Sequence, residues 1–143
     1  MKKCIIILSV LLTTGILSFG QVSDALRSEC VMSAGSNAKF LKDFRIELGK
    51  TGNKTDFRYK ANMSLWKNTK YRFSLCNSQN SKGQLILTIK NDANKVILSS
   101  FDKEGKIYPF VDFVCNKSGI YQLNFDFYDG QQGSGVGVVS MIR

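Results

Sequence analysis

The chain has 143 residues, a formal net charge of +9, 43% apolar residues and no histidine. That length fits one domain behind a short leader, and such a domain buries enough apolar surface to fold without metals or dense crosslinking. The missing imidazole removes the usual general base near neutral pH, and with it every Ser-His-Asp and Cys-His arrangement.

Residues 1–20 read MKKCIIILSVLLTTGILSFG. Lys2 and Lys3 precede an apolar run from Ile5 to Leu12, Thr13 and Thr14 interrupt it, and Ser18 and Gly20 supply small residues at a cleavage site. This is the three-part pattern of a secretory signal. A membrane-spanning helix needs ~20 apolar residues, and this stretch is shorter and more polar. Cys4 lies ahead of the apolar core, badly placed to receive a lipid, and no second apolar run reaches spanning length. Cleavage is expected between Gly20 and Gln21, with export to the periplasm, the cell surface or the medium.

Residues 21–37 form a short helical lead-in. Ser23 can cap a helix over 23–33, SDALRSECVMS, and Val22, Leu26 and Cys30 recur every four residues as one apolar stripe. AGSN at 34–37 ends the pattern.

From 38 to 143 the period changes to two, the mark of strands with one buried face. Phe44, Ile46 and Leu48 alternate first, and 55–65 then alternate without a slip. There Phe57, Tyr59, Ala61, Met63 and Leu65 face one way, and Asp56, Arg58, Lys60, Asn62 and Ser64 the other. Tyr71, Phe73 and Leu75 mark a third strand, and Leu85, Leu87 and Ile89 a fourth. Segments 95–101 and 107–115 follow, with Pro109 fit only for an edge or a bulge. In KSGIYQLNFDFYDG, 117–130, Tyr121, Leu123, Phe125 and Phe127 face a core, with Gln122, Asn124 and Asp126 on a wet back. VGVVSMI closes the chain. About eight strands at this turn spacing predict an all-β fold, an antiparallel β-sandwich of jelly-roll type.

In order, KYRFSL, GQLILTIKNDANKVILSS and FVDFVCNKSGIYQLNFDF resemble the strands of small secreted jelly-roll domains. They are similar to bacterial pre-peptidase C-terminal domains and to the GOLD domains of secretory-pathway cargo adaptors. The chain looks closer still to small exported β-sandwich proteins of Gram-negative bacteria. Those share an FLKDF segment, here 40–44, and a C-terminal DG-x-x-G-x-(A/G)-V segment, here DGQQGSGVGV. The resemblance covers most of 38–140 and implies a non-catalytic module. It supplies no catalytic residues to transfer, and it leaves the partner open.

Cys30, Cys76 and Cys115 remain after export, so one pair can bridge and one thiol is left over. Cys76 and Cys115 both end predicted strands and are the expected pair; three small buried thiols are the alternative. Without His or a CxxC spacing no zinc site is expected, and DFYDGQQGSG matches no calcium-loop spacing, so no metal or cofactor is expected. The glycines of GQQGSGVG lack the Lys-Ser/Thr and the helix of a phosphate loop.

Loss of Lys2 and Lys3 leaves 18 basic against 11 acidic residues. Between Lys39 and Arg72 stand ten basic residues and three acids, and the rest of the mature chain is balanced. Arg58, Lys60, Trp66, Lys67, Lys70 and Arg72 are therefore the candidate binding residues. They suit an anionic lipid, a glycan or an envelope protein, with Trp66 as a flat amphipathic contact. Nucleic acid is a poor partner for an exported protein. The plainer reading of the same residues is a solubilising surface. A second reading is carbohydrate binding through Trp66, Tyr108 and Tyr128. A third is a hydrolase with a carboxylate site at Asp112, Asp126 and Asp129.

The mature protein recovered from its native envelope should have the intact mass of a chain beginning at Gln21. A mass retaining residues 1–20 contradicts the leader.

Overall fold

The computed structural model describes residues 22–52 and 57–143. The expected leader lies outside the described residues, as do 53–56. One helix, α1 (Asp24–Ser33), precedes eight strands: β1 (Ala38–Leu48), β2 (Tyr59–Leu65), β3 (Lys70–Asn77), β4 (Leu85–Lys90), β5 (Val96–Ser99), β6 (Phe110–Val114), β7 (Gly119–Phe127) and β8 (Gly133–Ile142). A single 3-10 turn, Tyr128–Gly130, joins the last two. The strands form two four-stranded sheets, ordered β1-β8-β3-β6 and β2-β7-β4-β5, and every pairing is antiparallel. Apart from the β4–β5 hairpin, each strand crosses to the opposite sheet. That is jelly-roll order, and it makes the fold the expected sandwich.

Alternation builds the core. Phe44, Ile46, Tyr71, Phe73, Leu75, Leu85, Leu87, Ile89, Tyr121, Leu123, Phe125 and Phe127 are buried between the sheets. Burying each such side chain contributes about 1.5–3 kcal/mol. β8 is central to its sheet, yet its inward positions include Gly133, Gly135 and Gly137. A Cβ at Gly137 would lie 2.5 Å from the Phe125 ring, and one at Gly133 would lie 2.2 Å from the Phe127 ring. The aromatic side chains of β7 occupy the space that side chains on β8 would take.

Strand boundaries depart from the pattern for local reasons. β1 starts at Ala38, before Phe44, because its register shifts between Phe40 and Lys42 and the bulge hides the alternation. Phe40 consequently packs outward, beneath the helix. The strand expected at 95–101 is cut to Val96–Ser99, and Phe101 keeps only an isolated bridge to Ile107. Pro109 immediately precedes β6, an edge strand, as its missing N–H requires. The back of β7 is wet only near its start: Gln122 is half-buried, whereas Asn124 is 1% and Asp126 6% exposed. β7 lies between β2 and β4, and Arg58 covers Asp126.

α1 caps as expected, with Ser23 Oγ accepting from the Leu26 N–H at 3.1 Å. Val22 and Cys30 join Val136 and Val138 in a second small core on the outer face of the β8 sheet. A ten-residue helix does not persist alone in water, so this packing and a crosslink hold it. The crosslink corrects the expected pairing: the disulfide joins Cys30 to Cys76, and Cys115 is a free buried thiol. Cys76 points outward beside Val136, under α1. Cys115 adjoins Thr69 at the far end of β3, about 23 Å away at strand rise. Closing a loop with a sequence separation of 46 stabilises by about 4 kcal/mol in the chain-entropy account.

Gly137→Ala should lower stability by about 1–3 kcal/mol through overpacking, read as a lower urea midpoint. An unchanged midpoint contradicts the close approach of Phe125.

Candidate functional site

One end of the sandwich gathers the 66–69 turn, the β4–β5 turn and the 115–118 turn. Leu65 is buried at the end of β2, and the next residue, Trp66, is 65% exposed. The backbone beneath it is tied down. Trp66 N–H donates to Tyr71 Oη at 2.8 Å, Lys67 N–H to Ser118 Oγ at 2.7 Å, and Asn68 N–H to the Cys115 carbonyl at 2.8 Å. Asn68 adopts the left-handed conformation, φ 64°, which Asn tolerates better than most residues. On the facing turn, Tyr121 Oη donates to the Lys117 carbonyl at 2.6 Å, and Cys115 Sγ lies 3.2 Å from the same oxygen. Burial, and then the neighbouring Cys115, pushes the Tyr121 phenol up, so it stays a proton donor.

Three clefts meet at Ile120, itself 59% exposed. One of about 270 Å³ lies between Trp66 and Ile120. Another, of about 370 Å³, separates Asn91 and Asp92 from Asn116 and Lys117, with Ile97 and Tyr121 also in its lining. The third, about 230 Å³, runs onto the outer face of the β7 sheet, beside Asn62 and Gln122. Those two residues are register partners across β2 and β7.

The six basic and aromatic candidates do not share a face. β2 and β3 belong to different sheets, so Lys60 faces out from one sheet and Lys70 and Arg72 from the other. Arg58 is a structural buckle. Its Nε and Nη2 donate to Asp126 Oδ1 at 2.9 and 2.8 Å, and it also reaches the carbonyls of Gly49 and Gln131. Arg72 grips Asp112 in a two-pronged pair at 2.7 and 2.9 Å, donates to the carbonyl of Ala34 at the end of α1, and lies 4.4 Å from the Phe110 ring centre. Lys70 is a weaker partner of Asp112 at 3.7 Å. Trp66 and Lys67 alone of the six stand at the tip.

Tyr108 and Tyr128 lie at the opposite end from Trp66. Trp66 adjoins the start of β7 and Tyr128 follows its end, about 26 Å away at strand rise. The three carboxylates are not brought together either. Asp112 faces out from the β3 sheet, while Asp126 is held by Arg58 on the other. Asp129 sits in the turn after β7. Among the described residues no group of His, Cys, Asp or Glu could hold a metal, and no helix is long and apolar enough to cross a membrane.

The sequence reading missed Ile120, Asn62, Gln122, Asn91 and Asn116. One signal was present: Ile120 is an apolar residue on the otherwise polar side of its strand. Comparison with protein-family models found no match, and comparison with curated proteins found none.

The hydrogen bonds from Arg72 hold the Asp112 carboxyl below its usual value, against an opposing effect of burial. A carboxyl depressed in the folded state stabilises above its unfolded value of ~3.9 and loses that contribution as the pH falls below it. The urea midpoint of Asp112→Asn should therefore lie below wild type at neutral pH, with the gap closing in acid. A gap independent of pH contradicts the pairing.

Proposed function

We propose that this protein is an exported, non-catalytic binding module of the cell envelope, and that it engages its partner through the tip built around Trp66. One observation carries the reading. A tryptophan two-thirds exposed stands on a turn whose backbone is fixed by hydrogen bonds to neighbouring elements. Leaving so large an apolar side chain in water forgoes burial energy, and a rigid aromatic loses little entropy when a partner covers it. Aromatic side chains of this kind anchor binding surfaces.

The reading is supported by the secretory pattern of 1–20 and by the resemblance to accessory jelly-roll domains. Arg58 and Arg72 work inside the fold in this account, and Asp112 and Asp126 are their counter-ions, not acid–base groups. A second reading, an anionic headgroup surface, is favoured by Lys67 and Lys117. They rise from adjacent points, since the Lys67 backbone bonds Ser118.

Trp66→Ala should keep the wild-type urea midpoint to within about 0.5 kcal/mol, as exposed substitutions do. It should lose retention on immobilised envelope extract, and Lys82→Ala, at the other end of the sandwich, should keep it. Undiminished retention of Trp66→Ala overturns the assignment of the tip.

A further inference from the structure

The chemistry around Trp66 narrows the ligand class. Five amide side chains, Asn62, Asn91, Asn94, Asn116 and Gln122, line the clefts that meet at Ile120. An amide offers two donors and one acceptor oxygen, and a sugar hydroxyl both donates and accepts. Among the described residues, Asn62, Asn116 and Gln122 spend none of this capacity on other side chains or backbone. Asn91 spends its oxygen on the Ala93 and Lys95 N–H groups at 3.0 and 2.9 Å, which leaves its amide hydrogens unspent. One row further along the same sheet face lies Asn124. It is 1% exposed, and neither of its amide atoms has a partner among the described residues. A buried amide without partners is rare and calls for one.

Charge points away from an ionic ligand. Of the residues lining the three clefts, the charged ones are Asp92 and Lys117, and they have opposite sign. What remains is a flat aromatic, one exposed isoleucine, and amides and hydroxyls at their edge. An apolar platform with a few convergent polar groups is how a site orients an amphipathic ligand. A pyranose chain has that character, with C–H faces and equatorial hydroxyl edges.

We propose that the tip binds a neutral oligosaccharide, laid over Ile120 with one ring stacked on Trp66 and its hydroxyls met by Asn62, Gln122 and Asn116. The proposal rests on the tip being the binding surface, and it names what that surface takes. The site differs from a carbohydrate site using Tyr108 and Tyr128, which lie at the other end of the sandwich.

Trp66 is the chain's single tryptophan, so intrinsic fluorescence reports the tip alone. The mature protein is titrated with neutral cello-, malto-, xylo-, manno- and chito-oligosaccharides, and separately with phosphatidylglycerol vesicles, at low and at high salt. The expected result is a blue shift with one of the oligosaccharides that survives high salt, because stacking and neutral hydrogen bonds are not screened. Asn62→Ala and Gln122→Ala should each weaken that binding roughly tenfold. Asn62 is exposed, so its variant keeps the test open if Gln122→Ala fails to fold. A shift with vesicles alone, abolished by salt, overturns the saccharide and leaves the tip as the binding surface. No shift with any oligosaccharide overturns the saccharide, and the tip itself falls only if Trp66→Ala also keeps full retention on envelope extract.

Discussion

The architecture depends on how closely two interior strands, β7 and β8, approach across the sandwich. β7 sends Phe125 and Phe127 across the sandwich, and β8 receives them on Gly137 and Gly133. Rings seated on bare backbone let the sheets close without voids, at the density protein interiors require. The remaining inward side chains fill the space on either side of that axis. Phe125 also contacts the rings of Phe44 and Tyr59, with centroids 5.4 and 5.9 Å away, so the strands beside the axis are packed against it. The ends of the sandwich are then fixed by where β7 begins and ends. The tip with Trp66 lies at one, and the Arg58 buckle at the other.

Much of this was legible as period-two alternation. The inward parity of Tyr71, Phe73 and Leu75, and of Tyr121 to Phe127, is that of the core. The helix, its cap and its Val22–Leu26–Cys30 stripe were equally plain. What alternation cannot encode is which strands are neighbours. That is why Asn124 and Asp126, polar by pattern, are buried, and why a bulge at 40–42 concealed half of β1. Glycines at 133, 135 and 137 carry no alternation of their own, and their meaning appears only with the rings opposite them.

The same limit governs the site. Arg58, Lys60, Lys70 and Arg72 look like one basic patch along the chain, but a jelly roll deals consecutive strands to opposite sheets. Two of the four are consumed by carboxylates that are far away in sequence, at separations of 68 and 40 residues. The bridge from Cys30 to Cys76 followed a similar logic. Both residues point to the outer face of the β8 sheet, whereas Cys115 ends a different strand at the opposite end. Trp66 was legible because it is the one tryptophan, placed just beyond the end of a regular strand. The amides around it were not, because their grouping is made by three turns and a cross-strand pair.

The account stands or falls on a tip that is exposed yet rigid. Amide hydrogen exchange followed by NMR reads both properties at once. The N–H groups of Trp66, Lys67 and Asn68 should exchange far more slowly than unstructured amides, while the Trp66 indole N–H exchanges freely with water. Backbone amides of the 66–69 turn that exchange at random-coil rates would contradict a preorganised platform. An indole N–H protected in the unliganded protein would show that Trp66 is a core residue and not a contact.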